Sequence, residues 1–288
     1  MKITKAIIPA AGFGFRMYPI SKAVPKALIP VVDRPAIQYI VDEAINAGCT
    51  DIAIIVSKED VAIEKYFTTN IDYKFHTKTH NGIKIIEYYS FLVKPPKITI
   101  IKQNNQYGLG EALLCAENFC NGEPFVVLLG DTICLPENNK SCTSQMIETY
   151  NKYNRPVIVV KSIPNDKLRD YGIIEYNRPT STSELNITDI VEKPNPNEAP
   201  SNLAIIGRYV LFPEIFAVLK SIEPDKNGEI QLTAALRKIK DNIGIITEFK
   251  YYDIGNIRSW HRSNFEIALN NPVLYEDYIS MIKENNLK

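Results

Sequence analysis

The chain has 288 residues, 33 Lys+Arg balanced by 33 Asp+Glu, and 45% hydrophobic residues. A neutral total argues against a protein that grips nucleic acid by wholesale phosphate neutralisation, and equally against an acidic solvating tail. The composition is that of an ordinary globular protein, long enough to bury a large core without staples, and the length is read as one α/β domain with insertions.

Lys5–Pro9 reads as a short apolar strand. The stretch from Ala6 to Phe15 follows two lysines, but Pro9, several small residues and Arg16 interrupt it, so it is not read as a signal sequence. After a long loop, Ile37, Ile40, Val41, Ala44 and Ile45 recur at helical spacing within 35–47, and Gly48 closes that helix. Strands are expected at 51–57, 97–102 and 125–129, with helices at 59–67 and 110–119. Short, fully apolar strands between amphipathic helices are what a parallel sheet covered on both faces requires, so the first half is predicted to be doubly wound α/β. Residues 68–96 are poorly patterned and read as a surface excursion.

Beyond Asp131 the rhythm changes. A helix at 143–153 is followed by strands at 156–163, 171–176, 185–193 and 202–212 with little helix between them, which predicts an antiparallel or mixed part. Helical periodicity returns at 213–222 and 229–241, residues 244–255 read as one more strand, and a helical tail starts at Asn256. No run approaches the roughly 20 apolar residues of a membrane span. The five cysteines, Cys49, Cys115, Cys120, Cys134 and Cys142, include no pair at zinc-knuckle or redox-dithiol spacing, which points to a reduced, cytoplasmic protein.

The loop after the first strand, PAAGFGFRMYPISKAVPKALIPVVDRP, sets Arg16, Lys22, Lys26 and Arg34 against the single acid Asp33. Gly12 and Gly14, with Ala10 and Ala11, leave the backbone open to close approach, so its N–H groups can cradle phosphate oxygens while the cations neutralise them. Met17 stands where a dinucleotide fingerprint needs its third glycine, Pro19 and Pro25 block a helix start, and no Gly-Lys-Ser/Thr follows. The same residues also fit a solvated basic loop. Asp131 and Asp253 each end an apolar strand, which in a doubly wound sheet puts them at the ligand rim; either alone also fits a turn-forming Asp. Gln103 near Gly108 fits a surface residue before a helix start, and Glu192–Lys193 a solvated strand end.

The motifs AAGFGFRM, PKALIPVVDRPAIQYIV, GLGEALLCA, LLGD, YGIIE, DIVEKPNPNEAPSNLAIIGRYVL, GEIQLTAALRKI and YYDIGN occur in the order found in bacterial UTP-glucose-1-phosphate uridylyltransferases. The resemblance runs from about Lys5 to about Ala268. It implies a Rossmann-like, mostly parallel or mixed sheet of the nucleotidyltransferase type over 1–270, with a nucleotide-binding half at about 1–135 and an antiparallel sugar-binding half at about 136–255. The tail, 256–288, would supply a homo-oligomer contact, in a dimer or tetramer.

The implied reaction joins UTP and glucose 1-phosphate, two anions, so its catalysis is charge neutralisation and positioning with Mg2+. By this resemblance Arg16 and Lys26 hold the triphosphate, with Lys22 a weaker candidate, and Gly12 and Gly14 give backbone access. Asp131 and Asp253 coordinate Mg2+. Gln103 and Gly108 read the uracil edge, with Ala10 and Ala11 adding backbone contacts. Glu192 accepts sugar hydroxyls, Lys193 holds the sugar phosphate, and Gly172 supports the ring.

Five positions depart from the family pattern: Phe15 for a Thr, Ala27 for a Glu, Tyr107 for a Lys, Glu111 for a His and Ile257 for a Lys. Losing one hydrogen bond to a phosphate costs about 1.5–3 kcal/mol. The departures keep two alternatives open, a different nucleotide or sugar preference and a catalytically weak regulatory homologue.

Overall fold

The computed structural model describes residues 2–68, 96–138, 140–177 and 183–285. The expected excursion therefore lies almost wholly outside the described residues. From the start, β1 (Lys5–Pro9) leads through a two-stranded ribbon, β2 (Pro30–Val31) and β3 (Arg34–Pro35), into helix α1 (Ala36–Asn46). Strand β4 (Asp51–Ser57) and helix α2 (Ala62–Thr68) follow, then β5 (Lys97–Gln103), α3 (Gly108–Leu114), α4 (Glu117–Cys120) and β6 (Phe125–Leu128). The second half runs β7 (Thr132–Pro136), α5 (Cys142–Tyr153), β8 (Val157–Ser162), β9 (Gly172–Asn177), β10 (Glu184–Glu192) and β11 (Leu203–Leu211). It ends with α6 (Glu214–Leu219), α7 (Leu232–Lys238), β12 (Ile243–Ile245), β13 (Phe249–Asp253), α8 (Ile257–Ala268) and α9 (Pro272–Glu284).

Nine of these strands form one mixed sheet in the order β5-β4-β1-β6-β11-β8-β12-β10-β9. Strands β5, β4, β1 and β6 are parallel neighbours, whereas β11 runs antiparallel to both β6 and β8, and β10 antiparallel to β12 and β9. The predicted change from parallel to mixed thus falls at β11. Strand residues alternate between two cores: Ala6, Ile8, Ile52 and Ile54 pack on one face with Ile37, Ile40 and Ala44 of α1. Ile7, Ala53 and Ile55 pack on the other with Leu113 of α3 and Leu232 and Leu236 of α7. A continuously apolar strand such as DIAIIVS is the consequence of having both faces covered. Each fully buried Ile or Val contributes about 1.5–3 kcal/mol.

Several boundaries differ from expectation for identifiable reasons. Helix α2 starts after Asp60 rather than at Glu59, because Asp60 Oδ1 accepts the N–H groups of Ala62 and Ile63 and so caps it. Helix α7 loses its first turn because Ile230 is engaged elsewhere: its N–H donates to Tyr107 O (2.7 Å) and its carbonyl accepts from Gly110 N–H (2.8 Å). The single strand expected at 244–255 is two strands in different sheets. β12 joins the large sheet beside β8 and β10, and β13 pairs antiparallel with β7, a strand the periodicity did not reveal. The helix expected at 110–119 is divided into α3 and α4, with Ala116 leaving helical geometry at φ −97°, ψ 5°. The five cysteines are free thiols. No helix among the described residues is long and apolar enough to cross a membrane.

Candidate active site

The chain leaves β1 through Ala10, whose N–H donates to Ile55 O at 2.7 Å, and Gly130 donates to Pro9 O at 3.3 Å, so the ends of β1, β4 and β6 form one rim. The following loop makes no α-helix, as Pro19 and Pro25 predict. It folds through three single turns at Phe15–Met17, Ile20–Lys22 and Lys26–Leu28. Gly14 sits at φ 66°, its carbonyl accepts from Ser21 Oγ (2.8 Å), and a Cβ there would press on Ser21 and Lys26 at 3.2 and 3.3 Å. The loop therefore doubles back on itself. That fold carries Lys26 to Asp131, with Nζ 2.7 Å from Oδ2.

Asp131 and Asp253 are brought together by the β7–β13 ladder, in which Asp253 lies opposite Thr132. Ile254 N–H donates to Asp131 O at 3.0 Å, and Gly255 N–H to Asp253 Oδ1 at 2.6 Å. The Arg16 guanidinium lies against the same turn, 3.3 Å from where a Gly255 Cβ would stand. Burial alone would raise the Asp131 carboxyl, but the charge and hydrogen bond of Lys26, with Arg16 beyond, outweigh it and hold the group below its ordinary value. No cluster of three or more metal-ligating side chains occurs among the described residues. A pair of carboxylates on one rim suits a hard dication whose remaining ligands are water and phosphate oxygens.

A cavity of about 230 Å3 brings Arg16, Asp131 and Asp253 together with Gly172, Glu192 and Lys193. Adjacent strand residues point to opposite faces. Here β10 ends at Glu192 and Lys193 turns into the left-handed region, φ 47°, so both line one cavity. Lys193 N–H donates to Tyr171 O (3.0 Å), and its Nζ lies 3.4 Å from Glu192 Oε1. Glu192 Oε2 accepts from Thr233 Oγ1 at 2.9 Å. A Cβ at Gly172 would fall 2.9 Å from Thr233 Cγ2 and 3.2 Å from Glu192 Oε2, so glycine keeps this wall open.

The cavity also contains residues not singled out from sequence. Thr233 and Gln231 stand in the GEIQLT motif and Tyr251 and Asn256 in YYDIGN, so their motifs were visible although their individual parts were not. Tyr251 is pushed well above its ordinary value by burial and by Tyr171, whose hydroxyl lies 3.2 Å away.

Ala10, Ala11, Gly12, Gln103 and Gly108 do not line this cavity, although Leu109 does. Gln103 is buried at the end of β5 with its amide donating to Glu111. Gln106 donates to Ala11 O at 2.6 Å, and its buried Oε1 has no hydrogen-bond partner among the described residues. Gly108 has its own structural cause: φ is 91°, and a Cβ would lie 2.9 Å from Ile230 O. The loop cations are not one cluster. Arg34 forms a two-point pair with Asp33 and borders a separate cavity of about 740 Å3, and Lys22 is exposed and away from both cavities. Phe15 stacks on Phe13 with ring centres 5.0 Å apart, and the two rings remain 75% and 61% exposed.

The family model described as nucleotidyl transferase matches residues 5–269. A UTP–glucose-1-phosphate uridylyltransferase of Bacillus subtilis is 39% identical over 98% of this chain and 95% of its own. One of Staphylococcus epidermidis is 37% identical over 98% of each chain. Among solved structures, a UTP-bound UDP-glucose pyrophosphorylase of Acinetobacter baumannii superposes with a TM-score of 0.87 at 31% identity, covering 99% of this chain and 100% of that one. A UDP-glucose pyrophosphorylase complexed with UDP-glucose gives 0.85 at 34% identity, covering 93% and 100%. Matched over nearly its whole length in both sequence and fold, the chain belongs to the nucleotidyl transferase family, in the branch of the UTP–glucose-1-phosphate uridylyltransferases.

Proposed function

We propose that this chain transfers the uridylyl group of UTP to glucose 1-phosphate by a Mg2+-dependent in-line displacement, giving UDP-glucose and pyrophosphate. The observation that carries this reading is the single cavity joining Arg16 and the Asp131–Asp253 pair to the Glu192–Lys193 corner. Its lining sets cations and carboxylates side by side, as a reaction between a triphosphate and a sugar phosphate needs. The relatives' names and the UTP held by the Acinetobacter baumannii neighbour point the same way.

A phosphate oxygen of glucose 1-phosphate attacks the α-phosphorus of UTP, the bond to the β-phosphate oxygen breaks, and the electron pair leaves with pyrophosphate. No proton has to move, so the side chains act by position and charge. Arg16 and Lys26 hold the triphosphate and the departing pyrophosphate, with Gly12 and Gly14 offering backbone N–H groups. Lys193 grips the attacking phosphate, and its left-handed backbone turns it toward the same space as Glu192. Glu192, steadied by Thr233, accepts sugar hydroxyls, and Gly172 lets the ring approach. Asp131 and Asp253 would hold Mg2+, which when bound neutralises charge on the phosphate oxygens. Gln103 and Gly108, with the backbone of Ala10 and Ala11, read the uracil.

In this reading the nucleotide half covers about 1–135 and the sugar half about 136–255. The tail from 256 supplies a homo-oligomer contact, and the protein works in the cytoplasm. Purified protein is expected to release pyrophosphate from UTP and glucose 1-phosphate only with Mg2+, and Asp131→Asn to lose most of that activity. Undiminished release after chelation, or by the Asn variant, would overturn the assignment.

A second reading, altered nucleotide preference, has one observation behind it. The amide expected to face uracil is donated to Glu111, one of the departures from the family pattern. Competition among all four triphosphates separates the two readings; equal use of dTTP favours the second.

A further inference from the structure

Among the described residues the largest fully buried side chain is the charged Arg208, with no exposed surface. Burying a guanidinium costs several kcal/mol unless its donors are matched, so its partners indicate what it holds. Nε lies 3.2 Å from both carboxylate oxygens of Glu43, and Nη2 donates to Glu43 Oε2 at 2.8 Å. Nη2 also donates to Thr132 O at 2.8 Å, while Nη1 makes longer contacts to Leu129 O (3.5 Å) and Gly207 O (3.4 Å). Leu129 and Thr132 flank Gly130–Asp131. One guanidinium therefore grips the backbone on both sides of the turn that presents Asp131.

The grip is anchored from behind. Glu43, on α1, also accepts from Thr143 Oγ1 of α5 at 2.6 Å. On the strand side, Leu129 N–H donates to Gly207 O at 3.0 Å, and Gly207, at φ 83°, sits where β11 advances four residues while β8 advances two. That irregularity carries Arg208 beneath the β6–β7 turn. Leu129, Asp131, Thr132, Gly207 and Tyr209 line the active cavity and Arg208 and Glu43 do not, so the guanidinium acts on the site through the backbone it holds on either side of Asp131.

We infer that Arg208, held by Glu43, which Thr143 anchors in turn, is a positioning residue that fixes Asp131 for the proposed reaction. The inference rests on the reading of Asp131 as a metal-holding carboxylate. A planar fork with five donors can grip a carboxylate at two points while reaching backbone carbonyls on both sides of a turn, a spread that a lysine's single nitrogen does not reproduce. Without it, the bonds described for the Gly130–Asp131 turn are those of Gly130 N–H to Pro9 O and of Ile254 N–H to Asp131 O in the backbone, and of Lys26 Nζ to the Asp131 carboxylate.

The test separates position from stability. Replacing a buried ion pair by apolar residues of similar volume is often neutral or stabilising, so E43L/R208M is expected to keep its Tm. Its kcat is expected to fall about 100-fold with little change in KM for UTP, the cost of a small misplacement of a reacting group. Its affinity for Mn2+ in the presence of UTP, read by electron paramagnetic resonance, should fall at least about tenfold, as for other groups that orient a metal ligand. R208K, which keeps the charge, should fold and lose about tenfold in both readouts.

Wild-type kcat and Mn2+ affinity in a folded E43L/R208M protein would overturn the inference. If that protein does not fold, wild-type values in R208K would do so. Asp131→Asn measured alongside distinguishes the two failures. An active Asn variant removes the reading of Asp131 itself, whereas an inactive one beside a fully active E43L/R208M removes only the role of Arg208.

Discussion

Replacing Lys26 by Met removes the cation closest to Asp131 while keeping most of the buried stem. Nζ lies 2.7 Å from Oδ2, with the two side chains 16% and 34% exposed. A hydrogen bond between charged groups is worth about 1.5–3 kcal/mol, and screening at the part-exposed carboxylate puts this one near the lower end, about 1.5 kcal/mol or roughly tenfold. Its pH dependence has a definite sign. Because the folded-state value of Asp131 is depressed, its contribution to stability is present above the unfolded value and is lost as pH falls through the folded one. Lys26→Met leaves burial opposed mainly by Arg16, so the folded value rises, the stabilisation shrinks, and what remains is exhausted at a higher pH. Acid unfolding followed by fluorescence of Trp260, the single tryptophan, measures this directly. The variant should unfold at higher pH than the parent, and its pyrophosphate release at neutral pH should fall about 100- to 1,000-fold. Superimposable acid transitions would refute the electrostatic argument, whatever the kinetics.

Two further outcomes follow from local geometry. Gly172→Ala places a methyl 2.9 Å from Thr233 Cγ2 and 3.2 Å from Glu192 Oε2, so it should raise KM for glucose 1-phosphate by about tenfold or more while leaving KM for UTP nearly unchanged. Steady-state kinetics with each substrate varied in turn separates these. Phe15→Thr removes an exposed ring from the loop beside Arg16, so stability should change by less than about 0.5 kcal/mol. The added hydroxyl should lower KM for UTP, and an unchanged value would mean that position 15 does not touch the polyphosphate.

The parallel strands of the first half were legible because they are short, largely apolar and bounded by turn residues. DIAIIVS and KAIIP are strands at the expected bounds, for burial on both faces leaves no polar position to blur the ends. Elements defined by distant partners were hidden. TICLP carries no period of its own, and it is a strand because FKYYD pairs with it from more than a hundred residues away. The site shows the same division. The resemblance named Arg16, Asp131, Gly172, Glu192, Lys193 and Asp253, and these share one cavity. Arg208 was visible only as one letter in an apolar strand, because its role depends on Glu43, 165 residues earlier. Charge pattern alone did not distinguish the loop cations, and the resemblance favoured Arg16 and Lys26 over Lys22; in the structure the turn at Gly14 folds Lys26 back onto Asp131, whereas Arg34 pairs with Asp33.

A neutral chain can bind two polyanions because its site cations already have partners to exchange. Lys26 rests on Asp131 and Lys193 beside Glu192. The Asp131–Lys26 and Glu192–Lys193 pairs are all part-exposed, so separating either costs far less than exposing the fully buried Glu43–Arg208 pair. In the proposed reaction a triphosphate competes with Asp131 for Lys26, and a sugar phosphate competes with Glu192 for Lys193. Each exchange frees a carboxylate for its second task, Asp131 to ligate and Glu192 to accept sugar hydroxyls. Such coupling is reciprocal in equilibrium binding: whatever factor UTP adds to divalent-cation affinity, the cation adds to UTP affinity. In Lys26→Met, Asp131 has no lysine to release, so this factor should shrink toward one. Calorimetric titration of UTP with and without Mn2+ reads it in both proteins, and an undiminished factor in the variant would show that Lys26 takes no part in the exchange.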